Sequence, residues 1–289
     1  MNIALNSDIS AVEFNGTDIA AVEFNGVEVW RKAAPTPVEP DTWEAKTWNG
    51  LTDFNGNNVW TDGDNIYYSD YKSSSYVQYV LDKSTSTWST KTWSGLANFY
   101  GQNIWTDGEN IYYSYDTTQY VLDKSTSTWS NKTWTGLSSI NGQYIWKDGE
   151  NIYYSNGTAH YVLNKSTSTW TAKSWTGLTS FYGSCIWTDG ENIYYSYDTT
   201  QYVLDKSTSK WSRKTWTGLS NFRGSSIWTD GTYIFYSAGN VQKVLDKSTS
   251  TWSTKTWSGL ANFTGHYIWT DGENIYYSRD TLQYVLVKP

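Results

Sequence analysis

The stretch QNIWTDGENIYYSYDTTQYVLDKSTSTWSNKTWTGL, residues 102–137, carries the pattern that decides the fold of this chain. Its Trp-Thr-Asp-Gly motif recurs, once with Lys for Thr, at a spacing of 45 residues once and of 41 residues four times. The six motifs begin at Trp60, Trp105, Trp146, Trp187, Trp228 and Trp269. A fixed period of this size indicates stacked units that cannot bury their own faces alone. The sequence therefore predicts six repeats of one unit.

One repeat predicts four short strands, which we call a, b, c and d. Asp107-Gly108 separates two β-branched and aromatic runs, strands a and b, and is a dipeptide whose positive φ suits a tight hairpin. Strand c is predicted at residues 119–123 and strand d at 128–134. Because no segment has a sustained 3.6-residue apolar period, helix is expected to be nearly absent. A four-stranded meander of about 40 residues has the size of one β-propeller blade.

The repeats resemble those of the Kelch family. The letters IY at 111–112 and VLDKSTSTW at 121–129 match the Kelch pattern in order and spacing, and the resemblance extends over residues 42–289. It implies a β-propeller. The double glycine that Kelch repeats place after the second strand is replaced by Tyr-Ser at 113–114, so the chain is Kelch-like. Kelch-like oxidases need histidines and a Tyr–Cys arrangement around copper, which this sequence lacks.

The last repeat ends after strand c, and its missing strand d is found at the other end of the repeat region. Residues 42–51, TWEAKTWNGL, have the sequence of a strand d, with Trp43 and Trp48 in the places of Trp129 and Trp134. Pairing this segment with the last blade closes the circle and removes exposed sheet edges. The predicted fold is therefore all-β, a closed six-bladed β-propeller of four-stranded blades in which residues 42–51 complete the last blade.

A shorter duplication precedes the repeats. Residues 8–30 contain AVEFNG twice, each with an Asn-Gly hairpin turn, so a small three-stranded β-meander is expected within residues 1–32. Residues 33–41 form a Pro-rich spacer before the propeller at 42–289. The meander is too small to fold alone, which favours an attachment module for other chains or for copies of itself. Packing against the propeller is the alternative. The predicted attachment residues are Val12, Phe14, Val22, Phe24 and Trp30.

The FNG and VEVW segments of this module resemble short segments of bacteriophage structural proteins. The resemblance implies a virion component that is made in the host cytoplasm, is attached to other virion proteins through residues 1–32, and presents the propeller to the host. It also accounts for an outward-acting protein whose start shows neither a basic region nor a continuous apolar segment, since lysis releases the particle.

Composition argues against several other classes of function. A net charge of −7, with Lys and Arg scattered, argues against nucleic acid or an anionic membrane as partner, and no apolar stretch is long enough to span a membrane. His160 and His266 lie in different repeats, on segments predicted to be variable loops, and the single Cys185 is expected to be an inert thiol. The Asp-Gly-Glu-Asn turns offer too few ligands for calcium. We expect no metal, no cofactor and no catalytic residue.

The six copies differ from one another mainly at one end of the blades. The a–b and c–d turns hardly change, whereas the b–c and d–a connections vary. Alternate connections of an up-and-down meander emerge at the same end, so the variable segments share one face, the variable face, at the mouth of the central channel. Selection for binding would explain this, because the equally exposed turns of the opposite, constant face hardly change. Unconstrained drift of loops is the alternative.

The variable face combines aromatic rings with amide, hydroxyl and charged groups, a set that suits sugars and also protein partners. We therefore expect a non-enzymatic virion protein, a decoration protein or a tail-associated adhesin, that binds a bacterial surface glycan or protein. Alternatives are a purely structural virion subunit and a glycan-processing enzyme that uses carboxylates such as Asp116 and Asp198. The predicted ligand-binding residues are Tyr100, Asn103, Tyr115, Tyr144, Tyr182, Tyr197, Arg223, His266, Tyr267 and Arg279.

Overall fold

The computed structural model describes residues 13–14, 17–18, 21–24, 27–31, 41–72, 75–149 and 151–288. Its backbone contacts divide the chain into an N-terminal unit that ends at Pro40 and a large unit, Asp41–Lys288. No helix among the described residues is both long enough and apolar enough to cross a membrane.

The described residues of the N-terminal unit form two antiparallel hairpins. Strand β1 (Glu13–Phe14) pairs with β2 (Thr17–Asp18), and β3 (Ala21–Phe24) pairs with β4 (Val27–Arg31). The described residues of each copy of the duplication pair as one hairpin, which gives four strands among them where the sequence predicted three. Of the predicted attachment residues, Val12 lies outside the described residues. The others, Phe14, Val22, Phe24 and Trp30, lie on these strands.

The large unit consists of six four-stranded antiparallel sheets, which confirms the predicted six-bladed β-propeller. Blades 1 and 2 consist of β6 (Val59–Thr61), β7 (Ile66–Lys72), β8 (Ser75–Asp82), β9 (Thr87–Thr90), and of β10 (Ile104–Thr106), β11 (Ile111–Tyr115), β12 (Thr118–Asp123), β13 (Thr128–Asn131). Blades 3 and 4 consist of β14 (Ile145–Asp148), β15 (Asn151–Asn156), β16 (Ala159–Asn164), β17 (Thr169–Ala172), and of β18 (Ile186–Thr188), β19 (Ile193–Tyr197), β20 (Thr200–Asp205), β21 (Lys210–Arg213). Blades 5 and 6 consist of β22 (Ile227–Thr229), β23 (Ile234–Ala238), β24 (Val241–Asp246), β25 (Thr251–Thr254), and of β26 (Ile268–Thr270), β27 (Ile275–Arg279), β28 (Leu282–Val287), β5 (Thr42–Ala45).

A short 3-10 helix precedes strand a of every blade, a feature that the sequence analysis did not predict. Each helix has three residues and begins at a glycine. The helices are η1 (Gly56–Asn58), η2 (Gly101–Asn103), η3 (Gly142–Tyr144), η4 (Gly183–Cys185), η5 (Gly224–Ser226) and η6 (Gly265–Tyr267).

The ring closes through the strand that comes first in the large unit. β5 pairs antiparallel with β28, with Trp43 opposite Leu286, and the Trp43 N–H donates to the carbonyl oxygen of Ser258 at 2.9 Å. The predicted segment 42–51 divides in two, because the strand ends at Ala45 and Trp48 packs in the seam between blades 6 and 1. The strand d predicted at residues 128–134 likewise ends at Asn131.

The hydrophobic core lies in the six seams between neighbouring blades. In the seam between blades 2 and 3, Trp105 and Tyr112 of blade 2 pack with Trp134 of the connection and with Trp170 of blade 3. The ring centroids of Trp105 and Trp134 are 5.6 Å apart, and Trp170 is 2% exposed. Each repeat thus completes the burial of its aromatic side chains against its neighbours, as the period predicted.

Close backbone approach accompanies this packing. The Trp170 N–H donates to the Thr135 carbonyl at 2.8 Å, and a Cβ at the next residue, Gly136, would overlap the carbonyl oxygen of Trp170. Gly136 also has a φ of 85°. Glycine is therefore required there both by space and by conformation.

Gly136→Ala is expected to destabilise the propeller more than Gly108→Ala. Gly108 has a similar φ of 101°, but a Cβ there would meet nothing within 4 Å. The left-handed conformation costs an alanine about 1–2 kcal/mol at either position. Overlap with Trp170 adds about 1–3 kcal/mol at Gly136 alone. Urea unfolding of both variants measures the difference, and equal losses would mean that the seam tolerates a methyl group.

The turns of the constant face have structural roles. Asp107 Oδ1 accepts the N–H groups of Glu109 (3.0 Å) and Asn110 (2.7 Å), and Oδ2 accepts the Tyr112 hydroxyl at 2.9 Å. Lys165, in the c–d turn of the next blade, donates its Nζ to the Asp107 carbonyl at 3.3 Å. These bonds fix the turn and connect neighbouring blades, so the near-constancy of the constant face has a structural cause.

Burial acts to raise the pKa of Asp107, but the hydrogen bonds from Asn110, Glu109 and Tyr112 outweigh it, so this pKa lies below its ordinary value. A carboxyl group whose pKa is lower in the folded chain stabilises the fold above its unfolded pKa of about 4. That stabilisation is lost as the pH falls through the folded value.

Asp107→Asn is therefore expected to lower the unfolding free energy by about 1–2 kcal/mol near neutral pH and by less in acid. The difference from the unsubstituted chain should narrow as the pH falls below about 4, because protonation then removes the same carboxylate. Urea unfolding across the pH range measures it. Glu109→Gln, at an exposed carboxylate of the same turn, is the control. If the difference in unfolding free energy stayed constant with pH, the stabilising role given to the Asp107 carboxylate would be contradicted.

Candidate functional site

Hydrogen bonds between the b–c turns and the d–a connections build the variable face. The Ile140 N–H donates to the Asp116 carbonyl at 2.9 Å, and Gln119 Nε2 donates to the Ile140 carbonyl at 3.3 Å. The Phe181 N–H donates to the Gly157 carbonyl in the same way, at 2.9 Å. Both kinds of variable segment therefore lie at one end of the blades. At blade 1 the hairpin of β7 and β8 is longer than in the other blades.

The six 3-10 helices form a closed ring around the propeller axis, in which each helix contacts the next and η6 contacts η1. A Cβ at Gly142 would overlap the carbonyl oxygen of Asn103, the last residue of the preceding helix, and the other five glycines make the equivalent approach. The first residue of each helix is thus fixed by its neighbour, and the second projects its side chain at the axis.

The second residues surround the mouth of the central channel. They line one cavity of about 770 Å³. They are Asn57, Gln102, Gln143, Ser184, Ser225 and His266, and we call them the axial ring. Of these, only His266 was predicted as a site residue. The sequence does mark the other five, because each directly follows the glycine of a variable d–a connection. It does not show, however, which residue of such a loop reaches the axis.

Four predicted residues form one surface cluster, which we call the Tyr182 cluster. It consists of Tyr144, Tyr182, Tyr197 and Arg223. The ring of Tyr182 lies 5.9 Å from that of Tyr144 and 6.5 Å from that of Tyr197. The guanidinium carbon of Arg223 is 4.5 Å from the centre of the Tyr197 ring. Together with Ser184, Cys185 and Ser225 these side chains line a cavity of about 300 Å³.

The other predicted residues lie elsewhere on the face. Tyr100 lies 6.4 Å from Tyr115, between ring centroids, on blades 1 and 2. His266 lies 3.9 Å from Tyr267, and Arg279 lies over the Tyr267 ring at 5.3 Å, on blade 6. The ten predicted residues therefore do not form one site. Asn103 does not reach the surface, because it ends helix η2 with 3% exposure and supplies the carbonyl that packs on the next blade.

His160 is not on a variable loop, so that prediction was wrong. It lies on β16, opposite Ser155, in the place that Gln119 has in blade 2. Its ring is buried, stacks on Phe181 at 4.3 Å, and has Nε2 3.0 Å from the Thr179 carbonyl oxygen. Burial lowers its pKa, so the ring is neutral at neutral pH. His160 thus replaces a glutamine that bridges two backbone segments.

The charged and nucleophilic groups of the face are engaged locally. Arg223 Nε donates to Asp198 Oδ1 at 3.1 Å, and Asp116 Oδ1 accepts the Ser139 hydroxyl at 2.7 Å. Cys185 is buried, and burial raises the pKa of its thiol. Within the part of the chain that the structure describes, no three His, Cys, Asp or Glu side chains are grouped to hold a metal ion.

No protein-family model matches the chain, and no curated protein matches it in sequence. Among solved structures, it is similar to the extracellular domain of a one-component system from B. thetaiotaomicron, with a TM-score of 0.51 and 12% identity over 86% of this chain and 40% of that chain. The extracellular domain of a hybrid two-component system from the same organism has a TM-score of 0.47 and 11% identity over 80% of this chain and 33% of that chain. PorZ, a surface component of the type-IX secretion system of Porphyromonas gingivalis, has a TM-score of 0.45 and 11% identity over 82% of this chain and 32% of that chain.

This chain spans less than half the length of each of these proteins. At such identities the likeness shows the fold alone. Function must therefore be argued from the surface of this chain.

Proposed function

We propose that this chain is a non-enzymatic binding protein whose Tyr182 cluster binds a bacterial surface glycan. The observation that carries the proposal is the run of neighbouring tyrosine rings on the variable face, beside the donors and acceptors of Arg223, Asp198 and Ser225. Sugar residues stack their apolar faces on aromatic rings, and their hydroxyl groups need paired donors and acceptors. This arrangement supplies both.

The exposure of the cluster favours binding over a structural role. Tyr182 is 40% exposed, whereas the seam tryptophans are buried. The pairing of Arg223 with Asp198 neutralises the charge locally while leaving Arg223 half exposed, which suits a ligand without net charge. The adjoining cavity of about 300 Å³ is at the lower end of the range for ligand pockets, about 300–1,000 Å³.

The wider setting of the proposal is a bacteriophage particle. The short segments of the N-terminal duplication resemble those of virion proteins, and the Kelch-like repeats make a compact platform behind a Pro-rich spacer. In this setting residues 1–32 attach the protein to other virion components. The propeller then faces the host as a decoration protein or a tail-associated adhesin.

Tyr182→Ala and Arg223→Ala are each expected to weaken binding to a bacterial glycan array by about tenfold, since each removes a stacking or hydrogen-bonding surface. Both side chains are exposed, so the unfolding free energy should change by no more than about 0.5 kcal/mol. Tyr233→Ala is the matched control, because Tyr233 is a 55% exposed tyrosine in an a–b turn of the constant face. Array binding that neither cluster variant weakens, or no binding by the unsubstituted chain, would refute the proposal.

A further inference from the structure

We propose that the central channel binds the terminal residue of that glycan, and that this residue is a neutral sugar with a methyl group, such as an N-acetylated or a 6-deoxy sugar. The inference rests on the proposed function and deepens it. In this arrangement the chain end enters the axial ring, and the preceding sugar residue stacks on the Tyr182 cluster.

The two cavities adjoin, which is the first support. Ser184 and Ser225 line both the channel cavity and the smaller cavity beside Tyr182. A ligand that stacks on Tyr182 can therefore extend over these two hydroxyl groups to the axis. The channel cavity, about 770 Å³, falls within the range of small-molecule sites, about 300–1,000 Å³.

The channel lining is uncharged. Among the described residues that line it, none is Asp, Glu, Lys or Arg, and His266 is the one titratable group. Partial desolvation in the channel and the positive charge of Arg279 lower the pKa of His266, which keeps the ring neutral at neutral pH. An ionic ligand would lose its hydration here without meeting a countercharge, so the channel suits a neutral ligand.

The lining changes from polar to apolar directly behind the axial ring, and Thr61 and Thr270 add hydroxyl groups again at the ends of their strands a. The axial ring presents amide, hydroxyl and imidazole groups, which can pair with sugar hydroxyls or with an acetamido group. The first residues of strands a follow, and Val59, Ile227 and Ile268 line the cavity there. A ligand that fits this order has polar groups at the mouth and a methyl group beyond them.

One member of the ring is an acceptor without a partner. The side-chain oxygen of Asn57 is buried and has no hydrogen-bond partner among the described residues. A buried acceptor left unpaired is unfavourable, and such groups in proteins usually find a partner. This oxygen is closed to solvent, and the Asn57 side chain lines the channel, so a hydroxyl or amide N–H of a ligand would satisfy it once the amide turns toward the channel. Asn57 lies on blade 1, away from the Tyr182 cluster on blades 3 and 4.

The test uses the full chain with Asn57→Ala combined with Gln102→Ala, and it uses defined probes. The probes are the methyl glycosides of N-acetylglucosamine, rhamnose and glucose, followed by saturation-transfer NMR titration. Loss of two hydrogen-bonding groups should weaken binding of the first two probes by about tenfold or more. Asn98→Ala is the matched control, because Asn98 is an exposed amide on the same d–a connection as Gln102 but outside the axial ring. Urea unfolding confirms that each variant is folded.

Support requires that the unsubstituted chain and Asn98→Ala bind the N-acetylated or the 6-deoxy probe better than the glucose probe, and that the double variant does not. Equal binding by the double variant, no binding of any probe by the unsubstituted chain, or equal binding of glucose would each overturn the inference. The glycan array separates this from the proposed function. Array binding that depends on Tyr182 without binding of the methyl glycosides leaves the surface cluster alone as the site. Binding of the methyl glycosides without binding to the array refutes the proposal that the Tyr182 cluster binds a glycan.

Discussion

The seam between neighbouring blades is the constraint on which the rest of the structure depends. At each seam a glycine brings one chain against the backbone of a buried tryptophan, as Gly136 does at Trp170 and Gly259 does at Trp43. Lys132 then spans the seam, with its Nζ 4.6 Å from the centre of the Trp134 ring and 2.7 Å from Ser168 Oγ. Because no blade has a core of its own, six such seams must form together, and this requires a closed ring.

This dependence explains which parts of the fold could be predicted. The tryptophan period and the missing last strand are direct consequences of equivalent seams, so the blade number, the strand count and the closing segment followed from the sequence. The ends of the strands did not follow from the sequence. Trp134 has the appearance of the end of strand d, but it lies in the connection and packs in the seam with the next blade. His160 was misplaced for a different reason. The other five copies have Gln at this position, and its side chain bridges two backbone segments, so the histidine that replaces it is buried.

The structure gives a different reason for the contrast between the constant face and the variable face. The turns of the constant face are exposed and hardly change between copies, which in the sequence favours selection as the cause of variation on the other face. In the structure those turns hold buried or half-buried carboxylates and interblade lysine contacts, such as Lys83 Nζ to the Asp271 carbonyl at 3.3 Å across the closure. Their constancy has a sufficient cause in stability. The proposed binding therefore rests on the chemistry of the variable face, namely the rings of the Tyr182 cluster and the polar axial ring.

The axial ring shows how one scaffold can combine a fixed backbone with side chains that vary between copies. The glycine of each 3-10 helix is fixed by the preceding helix, and the strand that follows is fixed by its tryptophan, so the backbone of the residue between them has little freedom. Its side chain projects into the channel and makes no contribution to a seam, which is why Asn, Gln, Ser and His all occur there. A rigid backbone lowers the ordering cost of binding. Because six such positions converge on one axis, a change in one copy alters the lining of the channel while the seams stay intact.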